Sequence, residues 1–154
     1  MAATLGLDSR YVIGAEHVIP AVLADADEMV EFARKFDPQA IHLSDAAARE
    51  AGFAGLVASG WYVCSLFMRQ FVSSIINDSS ALVSPGVESI RWLNPLIAGV
   101  ELSGVAKVSK VLPSFSVPGG SIVTFDVELG SVSEPPVKIA TLSMHCLFGR
   151  NRKD

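Results

Sequence analysis

Ser59-Gly60-Trp61-Tyr62-Val63-Cys64-Ser65-Leu66-Phe67-Met68-Arg69-Gln70-Phe71-Val72-Ser73-Ser74-Ile75-Ile76 is the stretch that decides the fold. Ser59 is placed to cap a helix over about residues 60–76. Trp61, Cys64, Phe67, Met68, Phe71, Val72 and Ile75 fill most of its circumference. The only polar stripe is Ser65, Arg69 and Ser73, spaced four apart. A helix this apolar is expected to be buried on nearly all sides. It is too short and too interrupted by Arg69, Gln70, Ser73 and Ser74 to be a membrane span.

The flanking sequence supplies what could bury it. Downstream the period changes from helical to alternating. Val87–Trp92 is a short candidate strand and Leu102–Leu112 a long one. Gly120–Gly130 sets Val123, Phe125, Val127 and Leu129 against Thr124, Asp126 and Glu128. Val137–Phe148 sets Ala140, Leu142, Met144, Cys146 and Phe148 on one face. Pro113, Pro118-Gly119-Gly120 and Pro135-Pro136 mark turns. Upstream, Val12–Pro20 reads as a first strand. Asp25 and Glu28 have capping-box spacing before a helix at about 26–36. Ser44 caps a short helix that Gly52 closes. No strand–helix repeat is present, so a parallel doubly wound sheet is not expected. The pattern predicts an α+β fold in which an antiparallel sheet curls around one central helix. A bare sheet edge and leftover apolar surface invite dimerisation.

Composition agrees. The chain has 154 residues, 50% hydrophobic and 18% charged, against about 25% charged in an average soluble domain. One domain over 1–154 is expected. The formal net charge is −4, from 12 Lys plus Arg and 16 Asp plus Glu, so nucleic acid is not an expected partner. Cys64 and Cys146 lie in apolar segments and read as buried thiols rather than a disulfide framework. Met1–Tyr11 lacks a secretory pattern, which gives a cytoplasmic expectation. The tail Arg150-Asn151-Arg152-Lys153-Asp154 reads as frayed.

Two elements carry chemistry. Asp37 and His42 are five apart in a non-periodic link, Phe36-Asp37-Pro38-Gln39-Ala40-Ile41-His42. A carboxylate and an imidazole can hold a water and move its proton. The competing reading is a turn-capping Asp37 and a satisfied loop histidine. The second element is Ser59-Gly60. Gly60 starts the helix, so its N–H lacks an intrahelical acceptor and can hold an oxyanion. The competing reading is an ordinary cap with glycine for tight packing. Together they supply a water-activating pair and a grip on a carbonyl oxygen. His17 and His145 read as structural strand positions, and Trp92 as packing. Arg69 reads as either a pocket rim or a structural ion-pair partner. Arg91 is either a surface charge or a phosphate contact, and Lys107 and Lys110 belong to a solvated face. There is no phosphate-loop or dinucleotide glycine pattern and no His-Glu-x-x-His.

Phe32-Ala33-Arg34-Lys35-Phe36-Asp37-Pro38-Gln39-Ala40-Ile41-His42, then Ala51-Gly52-Phe53-Ala54-Gly55-Leu56-Val57-Ala58-Ser59-Gly60-Trp61, resembles the MaoC-like acyl dehydratase and (R)-specific enoyl-CoA hydratase family. The resemblance continues through Ile90–Gly99 into the last strands. It implies a hot dog fold, a homodimer or higher oligomer, and fatty-acid-type chemistry on thioesters of coenzyme A or a carrier protein. It implies Asp37 and His42 as the catalytic pair, with Gly60 and Ser59 at the thioester oxygen. Gln39, Trp61, Arg91, Ser114 and Ser116 are further substrate-binding candidates. The implied reaction is reversible hydration of a 2-enoyl thioester to the 3-hydroxyacyl thioester. No metal or other cofactor is implied, since coenzyme A or the carrier belongs to the substrate. A hot dog thioesterase and a non-catalytic acyl-binding subunit are the alternatives. The sequence departs from the pattern at Lys35 and Phe36, where many members carry Ser-Gly, within Pro38-Gln39-Ala40, where they carry Asn-Pro, and at Phe115 and Val117, which stand where the family often has basic residues.

Overall fold

A computed structural model describes residues 7–151. Met1–Gly6 and Arg152–Asp154, which include most of the tail expected to fray, lie outside the described residues. The elements are β1 (Glu16–Leu23), α1 (Ala26–Phe36), α2 (Ala40–Leu43), α3 (Asp45–Glu50), α4 (Gly60–Phe71), β2 (Ala81–Trp92), β3 (Glu101–Pro113), β4 (Ser121–Ser131) and β5 (Lys138–Phe148). A 3₁₀ turn, Ser9–Tyr11, precedes β1, and a π-helical turn, Val72–Ile76, extends α4.

The strands form one antiparallel sheet in the order β1-β3-β4-β5-β2. The expected alternation is realised. Val123, Phe125, Val127 and Leu129 on β4 and Ala140, Leu142, Met144, Cys146 and Phe148 on β5 are buried against α4. Phe71 of α4 meets Phe125 edge-on at 5.1 Å, and Phe67 stacks beside Phe71 at 5.3 Å. Tyr11 closes the core from the N-terminal side. Its ring lies 4.6 Å from Phe148, and its hydroxyl donates to the Ile75 carbonyl in the π turn at 2.6 Å. Each such buried aromatic contributes about 1.5–3 kcal/mol relative to an exposed one. The sheet wrapped around α4 is a hot dog fold. No helix among the described residues is long and apolar enough to cross a membrane.

Three helix starts follow the caps expected. Asp25 accepts the Glu28 N–H at 2.9 Å, Ser44 accepts the Ala47 N–H at 3.2 Å, and Ser59 caps α4. Gly52 ends the second of these at φ 95°. Only half of the Asp25 capping box forms. The Glu28 carboxylate reaches away to the Tyr62 hydroxyl at 2.8 Å and to Arg69 at 3.2 Å. That binds α1 to α4, and both readings of Arg69 hold, since it pairs with Glu28 and also lines the cavity between these helices.

Four expectations are corrected. β1 begins at Glu16, because Val12–Ala15 form a turn around Gly14 at φ 91°. Residues 40–43, read as a link, form one helical turn. β2 starts at Ala81 rather than Val87. Pro85 and Gly86 lie at irregularities in its pairing with β5, where a missing donor is tolerated. Finally, α4 is not buried all round. Trp61 is 55% exposed and Met68 37%. Sheet and α1 cover the Tyr62, Val63, Leu66, Phe67 and Phe71 side, and the single chain leaves the other side open.

Candidate active site

α1 and α4 place their ends together. Asp37 is the C-cap of α1 and Ser59 the N-cap of α4. The Ser59 hydroxyl donates to Asp37 Oδ2 at 2.7 Å, and the Gln39 amide donates to Asp37 Oδ1 at 2.8 Å. These two hydrogen bonds, Gln39 first and then Ser59, hold the Asp37 carboxyl below the usual carboxylate range. Slight burial opposes them and His42 adds to them. Asp37 is therefore ionised at neutral pH. Lys35 takes no part, since it pairs with Glu31 at 3.0 Å on the exposed side of α1.

The one-turn helix α2 carries His42 inward to 7% exposure. Its Nδ1 lies 2.8 Å from the Val57 carbonyl oxygen. A carbonyl only accepts, so Nδ1 carries the hydrogen, and the neutral ring presents a bare Nε2. That Nε2 lies 3.4 Å from Asp37 Oδ2. At 3.4 Å the two atoms are in contact, so a water that donates to both has to sit beside the pair rather than between them.

The Val57 carbonyl is itself held. The Val57 N–H donates to Ile41 at 3.2 Å and the Ala58 N–H to Leu96 at 2.8 Å. Asp45 accepts the Leu56 N–H at 2.9 Å. This glycine-rich link is thus fixed between α2 and residues 96–98. A backbone carbonyl has no side-chain signature, and Val57 is the site residue that sequence reading missed.

Gly60 follows Ser59 as the first residue of α4. Its N–H has no acceptor among the described residues, whereas the Trp61 N–H is taken by Ser59 Oγ at 3.3 Å. The Trp92 indole lies against Gly60. A Cβ at position 60 would come within 2.5 Å of that ring. The glycine is required by close approach. Trp61 meets Trp92 edge-on at 5.1 Å, both half exposed at the mouth of the cluster.

Asp37, His42, Ser59, Gly60, Gln39 and Trp61 are thus brought together, and the remaining candidates are not. Arg91 pairs with Thr141 while Trp92 pairs with the buried Ala140. Alternation puts Arg91 on the outer face, away from Gly60. Ser114 and Ser116 lie in the β3–β4 turn. Ser114 Oγ accepts the Ser116 and Val117 N–H groups and shapes that turn. The turn sits where Ser121 opposes Phe148. Phe148 is eight residues along β5 from Ala140, roughly 26 Å of strand. Within one chain these three residues are therefore not part of the cluster around Gly60.

The other histidines keep structural partners. His17 donates to the Arg10 carbonyl at 2.9 Å, and His145 meets Thr124 at 2.9 Å on the outer face. Both cysteines are free. Burial pushes the Cys146 thiol up to about 12 and raises Cys64 as well, the latter partly offset by the Trp92 N–H.

The sequence model of the MaoC like domain family matches residues 13–118. The chain is similar to the MaoC-like dehydratase from Rhodospirillum rubrum, at 28% identity and a TM-score of 0.83. That match covers 94% of this chain and 97% of that one. The unliganded (R)-hydratase PhaJ1 from Pseudomonas aeruginosa shares the fold. It is 15% identical with a TM-score of 0.73, over 91% of this chain and 83% of that one. The uncharacterized protein YdeM of Bacillus subtilis (strain 168) is 22% identical over 141 residues, 92% of this chain and 97% of YdeM.

Proposed function

The chain belongs to the MaoC-like domain family, and from that premise we propose that it is a cytoplasmic hydro-lyase that adds water reversibly to a 2-enoyl thioester. The observation that carries the reading is the placement of His42 Nε2, which faces Asp37 because Nδ1 is taken by the Val57 carbonyl. Nε2 lies 3.4 Å from the ionised Asp37, beside the free N–H of Gly60.

The chemistry follows from those atoms. A water beside the pair donates one hydrogen bond to His42 Nε2 and the other to Asp37 Oδ2. Its oxygen bonds to the β carbon while Nε2 takes one of its protons. The π electrons of the double bond move toward the thioester carbonyl. Negative charge grows on that oxygen, where the Gly60 N–H and the α4 dipole meet it. Asp37, with its carboxyl held low, is a weak proton acceptor, so it orients the water and stabilises the imidazolium. The proton then passes from Nε2 to the α carbon, giving the 3-hydroxyacyl thioester and a neutral histidine. Dehydration is the reverse path. No electrons leave the substrate, and coenzyme A or a carrier protein enters as part of it.

The working unit in this proposal is a homodimer. Trp61 and Met68 line the uncovered side of α4, and the half-buried Val72 continues it in the π turn. Beside them an apolar cleft of about 340 Å³ lies between α4 and β2, lined by Met68, Val72, Ile76, Leu82, Met144 and Cys146. β2 is also a sheet edge, with unpaired backbone groups that a second β2 would satisfy. Pairing of two edges joins the sheets and covers both apolar faces at once.

The test is an assay of crotonyl-CoA and longer 2-enoyl thioesters that follows loss of enoyl absorbance. Hydration by the wild type that is lost in Asp37→Asn and His42→Ala supports the reading. Activity unchanged in both variants rejects it.

A further inference from the structure

The Gly60 N–H belongs to the peptide group at the very start of α4, and helix ends fray. A donor that stabilises a developing charge has to be fixed before the charge forms. The preceding side of this peptide is fixed by the Ser59–Asp37 hydrogen bond at 2.7 Å. The following side is fixed from another part of the chain. The Trp92 indole Nε1 donates to the Gly60 carbonyl at 2.9 Å, and the indole ring fills the space a side chain at position 60 would need.

Trp92 is itself well anchored. It ends β2 opposite Ala140, and the next two residues both donate backbone N–H groups to the Ile139 carbonyl, at 2.8 and 3.3 Å. The Asn94 amide adds a bond to the Lys138 carbonyl at 2.8 Å. The end of the sheet thus carries an indole that reaches across to the first turn of the helix. We infer that Trp92 is a positioning residue for the proposed hydration, aiming the Gly60 N–H at the thioester oxygen by holding the Gly60 carbonyl and excluding any side chain there.

The role acts through Gly60 and rests on the thioester reading above. Its signature is a loss confined to the transition state and to the polarisation of the bound carbonyl. Trp92→Phe keeps an aromatic ring at the site and removes the donor together with part of the indole that lies against Gly60. With crotonyl-CoA its kcat falls about tenfold, while KM stays within about twofold, since misplacement of a catalytic group by about 1 Å is enough to cost 100-fold. The infrared carbonyl stretch of bound butyryl-CoA, which has no double bond to hydrate, lies below its solution frequency in the wild type. In Trp92→Phe it returns part of the way. Asn94→Ala, which loosens the strand end without touching the indole, moves both readouts in the same direction by less, and it carries the test should Trp92→Phe not fold.

A wild type that hydrates crotonyl-CoA and shifts the carbonyl, with both variants equal to it, overturns the role of Trp92 and leaves the hydratase reading standing. A wild type that hydrates no enoyl thioester and leaves the butyryl carbonyl at its solution frequency overturns the hydratase reading, and the role of Trp92 falls with it.

Discussion

Ser59 and Asp37, 22 residues apart, meet through a 2.7 Å hydrogen bond that joins the N-cap of α4 to the C-cap of α1. One serine thereby starts the central helix, lowers the pKa of the carboxyl, and keeps that carboxyl beside the helix N–H. The helix cap and the candidate site are the same set of atoms.

Removing that hydroxyl should therefore be visible at Asp37. In Ser59→Ala the Asp37 carboxyl loses one of its two donors and its pKa rises toward the ordinary carboxylate value. Carbon-detected NMR titration of the side-chain carboxyl checks this. An unmoved titration curve would assign the shift to Gln39 and His42 without Ser59.

The same shift has a stability consequence with a definite sign. The folded pKa of Asp37 lies below its unfolded value, so its contribution is present above the unfolded pKa. It is lost as pH falls through the folded one. Urea unfolding of wild type and Asp37→Asn between pH 7 and pH 2 should show a stability gap at neutral pH that closes only in the acid range. A gap that stays constant across the series contradicts the assigned cause.

Gly60 has no room for a methyl group. In Gly60→Ala the new Cβ collides with the Trp92 ring, so either the indole or the helix start must move. Turnover should fall about 100-fold, the scale of losing one oxyanion donor, with a change in tryptophan fluorescence. Normal turnover in this variant would remove Gly60 from the site.

The open side of α4 predicts assembly. Met68→Glu puts a charge on the apolar side facing the cleft beside β2, and burying an unpaired charge is strongly unfavourable. Light scattering should show the wild type as a dimer and the variant shifted toward monomer, with loss of hydration. A wild type that is monomeric at micromolar concentration contradicts the seam.

The core is a separate matter from the site. Phe71→Ala removes a fully buried ring that packs on Phe125 and Phe67 and should cost about 3–5 kcal/mol, measured by urea unfolding. A cost under about 1 kcal/mol would mean the ring is not where the core puts it.

What the sequence made legible is what local chemistry writes down. Asp25, Ser44 and Ser59 declare helix starts because each oxygen satisfies its own helix within a few residues. The alternation of β4 and β5 declares a face. Trp61 and Met68 misled because an apolar helix side left open in one chain has the same composition as a core. Arg91 entered the candidate site as a candidate phosphate contact, and the serines at 114 and 116 by resemblance. Strand alternation and strand length, which depend on the register of the whole sheet, hold them away from Gly60 in one chain. The Val57 carbonyl and the reach of Trp92 to Gly60 arise only once distant segments pack, so no local pattern announced them.

The central claim is that His42, Asp37 and Gly60 together add water to an enoyl thioester rather than cleave it. The most direct measurement follows enoyl absorbance and free thiol in one cuvette, with wild type, Asp37→Asn and His42→Ala. The account predicts loss of absorbance without thiol release in the wild type, and neither signal in the two variants. Thiol released in step with substrate loss, or full hydration by either variant, would contradict it.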